Sequence, residues 1–313
     1  MSASPASPAS AAWCAISGQR LAVEPPAEAG LTRKTISLIA GSSVVRHLLW
    51  QDTEVAKLRT PPLDQVLAFC AENPVERVFL EDLARRGLGR FLAVPGNGSI
   101  QSLCHFGMNI GPAGPGCGVF AKHALASGAR MIVGAESAVN ELWDGIARHR
   151  PPPHRDSPAE PVYELREPPV PGDSGLRLAT SSDIDLLIPA CAAAHEEELG
   201  VNPLEYDPAG FRQRTRIQIV AGRSWLWSEN GRIRFKAEAS AWTPSAIQLQ
   251  QVWTDPELRG HGYARRALSD LCRLLLESTP CVCLFVRAEN ARAIGLYESI
   301  GMQQVGFFRS IVL

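Results

Sequence analysis

The chain has 313 residues, 45% of them apolar, which is enough for two compact units. Its 31 Lys and Arg nearly balance 32 Asp and Glu, excluding the broad positive field that nucleic acid or an anionic membrane surface requires. No run of about 18 uncharged apolar residues occurs, and the Ala/Ser/Pro-rich opening lacks the basic and apolar regions of a secretory signal, so a cytoplasmic protein is expected, with no membrane or nucleic-acid partner.

In chain order, residues 1–50 are poor in large apolar groups and are expected to be flexible or poorly defined. Residues 51–149 read as a mixed α/β accessory domain. Helical periodicity in "QVLAFCAEN" and "VERVFLEDLARRGL" leads to the strands "RFLAV" and "SIQSLCHF", then a helix at "VFAKHALASG", the strand "ARMIVG" and a helix ending "VNELWDGIA". The glycine-rich "GPAGPGCG" between them reads as a plain turn, because its prolines lack N–H donors. Residues 150–172 are rich in proline, which argues against a helix or an inner strand, so they are expected to be a linker.

Residues 173–313 follow the order β-α-α-β-β-β-α-β-α-β. The strand "GLRLAT" precedes helices at "SSDIDLLIPACAAAHEEELG" and "PAGFRQRTRIQIVAG". The strands "SWLWSE", "RIRFKAEAS" and "AIQLQQVW" come next, the first two joined by an Asn-Gly turn. A helix from Gly262, the strand "CVCLFV", the helix "NARAIGLYESIG" and the strand "QQVGFFRSIVL" complete the unit. Arg212, Arg214 and Arg216 read as a solvated helix face. The eight cysteines contain no CxxC pair and read as reduced core residues, so no metal site is expected.

The stretch "ELRGHGYARRAL" carries the chemistry. Arg265 and Arg266 in the first turn of a helix oppose its positive end by about 0.3–1 kcal/mol each, unless an anion sits there. Gly260 and Gly262 leave main-chain N–H groups uncovered, as a phosphate-wrapping turn requires. Upstream, Ile247 and Leu249 keep a period of two, but Val252 falls on the opposite parity after Gln250 and Gln251. That slip marks a β-bulge, which leaves backbone donors free beside the turn.

On "VWTDPELRGHGYA" and "NARAIGLYESIGM" the chain resembles the GNAT superfamily of acyl-CoA-dependent N-acyltransferases. The resemblance implies an α/β (α+β) fold, with a mixed, splayed sheet flanked by helices over the C-terminal region. "NPVERVFLEDL", "SLCHFGMNIGP" and "IVGAESAVNELW" look like the uncharacterised domain that precedes such a unit in actinobacterial proteins, itself a degenerate unit of the same kind. By resemblance, acetyl-CoA is the cosubstrate. Val252, Trp253 and Thr254 pair with its pantetheine arm, Arg259, Gly260, His261, Gly262, Tyr263, Ala264 and Arg265 hold the pyrophosphate, Asn290 contacts the cofactor, and Tyr297 lies beside the thioester sulfur.

Direct acetyl transfer needs a neutral amine, a polarised carbonyl and a stabilised thiolate. Tyr297 is the expected donor to the sulfur. Where many relatives place a glutamate, this chain has Phe285, so Glu238 is taken as the base, with an ion pair as its alternative role. Glu196, Glu197 and Glu198 read as a solvated face, or else attract a cationic acceptor. The expected activity is acetyl transfer to an amine of a small molecule, peptide or protein. A non-catalytic acyl-CoA sensor or scaffold is the alternative, and the oligomeric state stays open.

Overall fold

The computed structural model describes residues 58–313; the expectation for residues 1–50 lies outside them. The amino-terminal part runs α1 (Leu63–Glu72), α2 (Pro74–Arg85), β1 (Arg90–Pro95), β2 (Ile100–Phe106), β3 (Asn109–Ala113), α3 (Ala121–Leu125), β4 (Met131–Ala135), α4 (Glu136–Ile146) and β5 (Arg155–Leu165). The carboxyl-terminal part runs β6 (Arg177–Leu178), α5 (Ile184–Leu199), α6 (Pro203–Tyr206), α7 (Pro208–Val220), β7 (Ser224–Glu229), β8 (Arg232–Trp242), β9 (Ile247–Thr254), α8 (Tyr263–Leu276), β10 (Val282–Phe285), α9 (Ala291–Ser299) and β11 (Gln303–Val312). The short strand β3 has no counterpart in the sequence reading, because "NIGPA" carries both Gly and Pro.

All eleven strands join one sheet, in the order β1-β2-β3-β4-β11-β5-β10-β9-β8-β7-β6. Leaving aside β6 at the edge, the order is symmetric about the β11–β5 pair. β3 and β4 are parallel over only two residue pairs, as are β9 and β10, and every other neighbouring pair is antiparallel. From β1 and from β7 onward the two halves repeat the same order, three strands, a helix, a strand, a helix and a strand. The final strands are exchanged: β5 pairs with β10 of the other half, and β11 pairs with β4.

The expectation of a linker at 150–172 is corrected by this exchange. β5 lies inside the sheet, and its prolines are accommodated by local irregularity. The register with β11 slips between Phe308 and Ser310, opposite Glu160 and Ser157, and Pro158 falls in that bulge, next to Ala159 at φ +51°. β10 covers β5 only from Val162 onward, so the proline-bearing part has one ladder to satisfy instead of two. Residues 168–175 are likewise strapped to α8. Asp270 accepts from the Gly172 and Ser174 N–H groups at 2.7 and 2.8 Å, and Arg273 donates to the Pro169 carbonyl at 2.8 Å.

The core is divided among the sheet faces. Ala267, Leu268, Leu271, Cys272 and Leu275 of α8 pack on β8–β10, with Tyr297 and Ile300 from the α9 region. Leu274, on the same apolar stripe in the sequence, is exposed. On the opposite face α5 and α7 bury Leu187, Cys191 and Phe211 against Leu226, Ile233 and Trp253. A buried ionic joint connects the halves: Asp82 of α2 accepts from Arg223 at 2.7 Å and from the Trp242 N–H at 3.2 Å. The solvated-face reading of the α7 arginines fits Arg212 and Arg214, which pair with Asp185 and Asp207 at 2.7 and 2.8 Å. The described cysteines are all free and buried. Among the described residues no helix is long and apolar enough to cross a membrane.

Candidate active site

The parallel pairing of β9 with β10 stops at Gln248 and Cys283, and beyond it the strands diverge. From Leu249 to Thr254, β9 therefore keeps its ladder with β8 and presents an open edge towards β10. The bulge read from the sequence is present. Gln250 faces Glu238 while Trp253 faces Lys236, and Gln251 takes up the extra residue at φ +53°.

At the end of β9, Gly260 (φ +82°) and Gly262 (φ +81°) turn the chain into α8. Gly262 is its N-cap and supplies no side-chain cap, so first-turn N–H groups are left for a ligand. A Cβ built at either glycine meets nothing within 4 Å. This turn borders a cleft of about 970 Å³ lined by Val252, Trp253 and Thr254, by Arg259, Gly260 and the residues from Gly262 to Arg265, and by Asn290 and Tyr297. Of the expected cofactor-binding residues, His261 alone does not line it; its ring is exposed, with Nδ1 3.1 Å from the Arg259 carbonyl.

The two first-turn arginines divide their work. Arg266 donates to the Gly172 carbonyl at 2.7 Å and lies 5.0 Å over the Trp227 ring, whereas Arg265 is exposed on the cleft. Arg259 is held at both ends, by the Thr254 carbonyl at 3.0 Å and by Glu197 at 2.7 and 2.8 Å. Asn290 caps α9 through its Oδ1, which accepts from the Ala293 N–H at 3.1 Å.

A second cavity, of about 160 Å³, opens where β9 and β10 diverge, and it shares Val252, Arg287, Asn290, Ala293 and Tyr297 with the cleft. Tyr297 is thus on the wall of both. Its ring is 6.0 Å from that of Tyr163, a β5 residue. Burial pushes the Tyr297 phenol well up, with the nearby Glu198 adding to the effect.

Glu238 is not brought to either cavity, which corrects its assignment as the base. Lys236 and Glu238 share a strand face that α5 covers, whereas a register slip between Trp227 and Ser228 turns Arg234 to the other face, 5.5 Å from the Tyr263 ring. Lys236 is fully buried beneath α5, with Nζ 3.0 Å from Glu238 Oε1, 3.0 Å from Gln251 Oε1 and 3.2 Å from Cys191 Sγ. Two carboxyl groups line the small cavity, that of Glu160 on β5 and that of Glu198, at the end of α5. Glu198 Oε2 accepts from Gln251 Nε2 at 3.1 Å, and burial pushes the Glu198 carboxyl up to about 7, opposed by Lys236 and the Gln251 bond. Glu197 is bound to Trp253 and Arg259, and Glu196 is exposed. The acidic run therefore has three separate roles that its composition does not distinguish.

The amino-terminal half repeats the glycine turn. Gly114 (φ +82°) and Gly116 (φ +79°) lie between β3 and the helical turn at Cys117, as Gly260 and Gly262 lie between β9 and α8. Here the anion is built in: the Cys117 N–H donates to Glu141 Oε2 of α4 at 2.6 Å. "GPAGPGCG" is more than a plain turn, and its helix-start donor is satisfied internally.

A glycine turn at a helix start thus lies beside a bulged strand that parts from its parallel neighbour, an arrangement that leaves main-chain donors free for an anionic ligand. Residues 192–302 match the Acetyltransferase (GNAT) family, and residues 89–187 match a domain of unknown function, DUF4081. The carboxyl-terminal region is a GNAT acetyltransferase domain, and a DUF4081 domain precedes it. The chain is 28% identical over 205 residues to "Mycothiol acetyltransferase" of Thermobispora bispora, a match that covers 60% of this chain and 62% of that relative, under two thirds of its length. Among solved structures, an acetyltransferase of the GNAT family from Colwellia psychrerythraea has a TM-score of 0.51 at 10% identity, over 82% of this chain and 99% of its own. A GCN5-related N-acetyltransferase from Sphaerobacter thermophilus has a TM-score of 0.50 at 15% identity, over 82% and 94%. These two share the fold.

Proposed function

We propose that the protein is a cytoplasmic acetyl-CoA-dependent N-acetyltransferase that moves the acetyl group directly to an amine. The observation that carries this reading is Tyr297 on the shared wall of a large cleft, which ends in a phosphate-type turn, and a small cavity that holds a carboxyl group. Acetyl-CoA, as substrate, supplies the activated acyl group. The main-chain donors at the start of α8 and the exposed Arg265 suit its pyrophosphate, and the open edge of β9 suits its amide arm.

Glu198 is the base in this reading. With its carboxyl near 7, taking a proton from an α-amine of pKa about 8 is uphill by about 1.4 kcal/mol, whereas a lysine-like amine near 10.4 costs about 5 kcal/mol. The site is therefore matched to an amine of low basicity. Tyr297, with its phenol raised by burial, donates a hydrogen bond to the departing sulfur and keeps its proton.

The test is thiol release from acetyl-CoA across an amine panel, for the wild type and for Tyr297→Phe. Turnover that falls by 10-fold or more in the variant, with unchanged acetyl-CoA affinity, supports the assignment. Binding of acetyl-CoA without thiol release from any amine would replace it with a sensor role.

A further inference from the structure

The small cavity is a composite of both halves. Met131 and Val133 of β4 and Arg155, Ser157 and Glu160 of β5 come from the DUF4081 side, and they face Glu198, Gln250 and Tyr297. The strand exchange brings them there. Val162 of β5 pairs with Phe285 of β10, and the Pro161 carbonyl accepts from the Val286 N–H at 3.2 Å, which sets Glu160 at the mouth of the β9–β10 fork.

Two oxygens on this wall are buried without a hydrogen-bond partner: Glu160 Oε2 and Gln250 Oε1. Glu160 is 4% exposed. Leaving such an oxygen unsatisfied weakens the fold, so a ligand donor placed there gains what folding gave up. The cations on the same wall are already engaged: Arg155 donates to the Glu198 carbonyl, and Arg287 pairs with Glu289 at 3.4 Å. The wall is therefore short of donors. At about 30 Å³ for each water-sized group, 160 Å³ admits about five non-hydrogen atoms.

We propose that Glu160, supplied by the DUF4081 half, is a specificity-determining residue that binds a second donor group of the acceptor, so that the acceptor is a small polar amine carrying a further ammonium or hydroxyl. The inference rests on the acetyltransferase reading above. Burial pushes the Glu160 carboxyl up to about 8, against a hydrogen bond from Ser310, and a bound ammonium relieves that penalty by ion pairing. A hydroxyl satisfies the same oxygen without changing its charge.

The experiment uses the full chain saturated with CoA and titrates in three amines of equal size by calorimetry: 1,3-diaminopropane, 3-aminopropan-1-ol and butylamine. CoA affinity is measured first, and its absence in the wild type would remove the underlying reading, separately from this one. With CoA bound, the wild type is expected to hold at least one donor-bearing amine 10-fold or more tighter than butylamine. Glu160→Leu should erase the difference while leaving CoA affinity intact. Glu160→Gln should keep a preference for the aminoalcohol and lose one for the diamine. Equal binding of all three by the wild type, no binding of any, or an undiminished preference in Glu160→Leu would each overturn the proposal.

Discussion

Replacing Gly262 by valine separates backbone strain from ligand binding. Gly262 sits at φ +81°, where an L-residue with a Cβ pays about 1–2 kcal/mol, and the added Cβ meets no protein atom within 4 Å. The cost to folding is therefore limited to the strain, about 2–6 °C in Tm for a chain of this size. The cost to binding is separate. The side chain enters the space before the first turn of α8, and losing one charge-assisted hydrogen bond to a phosphate there costs about 1.5–3 kcal/mol, or about 10- to 150-fold in CoA affinity. Gly87 is the matched control, at φ +63° with nothing within 4 Å and on the wall of neither cavity. Calorimetric CoA titration and thermal unfolding of Gly262→Val and Gly87→Val should show similar losses of stability and a loss of affinity only in the first. Wild-type affinity in Gly262→Val, or an equal loss in both, would refute the phosphate-turn reasoning.

In the proposed role of Glu198 as base, with burial pushing its carboxyl up to about 7, kcat should rise as pH increases through 7 and level off above it; Glu198→Gln should remove that limb and lower kcat by about 10²–10⁴-fold. Arg265→Ala should weaken CoA binding several-fold without altering Tm, whereas Arg266→Ala should lower Tm, since Arg266 holds the 172–173 backbone. Asp82→Ala leaves Arg223 without its buried partner and should cost about 3–5 kcal/mol in urea unfolding, with CoA affinity unchanged at low denaturant. Gly172→Ala places a Cβ 2.0 Å from the Arg266 carbonyl oxygen and should destabilise the strap on α8, seen as faster amide exchange at Gly172 and Ser174.

The sequence was legible where local chemistry decides local structure. The Asn-Gly turn at Asn230 and Gly231, the phase slip at Gln250 and Gln251, and the glycine turn into α8 each leave a mark within a few residues, and each is found in place. β5 was hidden because Pro158 and Pro161 argue against an inner strand. What admits them is a bulge opposite Arg309 and a neighbour that covers only the proline-free end, neither of which local composition reveals. The roles of the acidic residues were equally out of reach. Glu238 is withdrawn from the cleft by a lysine two residues away and a covering helix, and Glu160 reaches the fork only because the last strands are exchanged. In hindsight Gly114 and Gly116 gave a readable signal, since their spacing repeats that of Gly260 and Gly262.

The exchange of β5 and β11 sets an order on biosynthesis. As the nascent chain leaves the ribosome, β4 is complete while its eventual neighbour has yet to be translated; Arg309 and Asn140 bond across 169 residues. Until then β4 presents a bare apolar edge, the kind of surface that recruits chaperones or pairs with another chain. Stalling or truncating synthesis before β11 should leave both halves unfinished, since neither holds a full set of its own strands. The two units can be copied or lost only together.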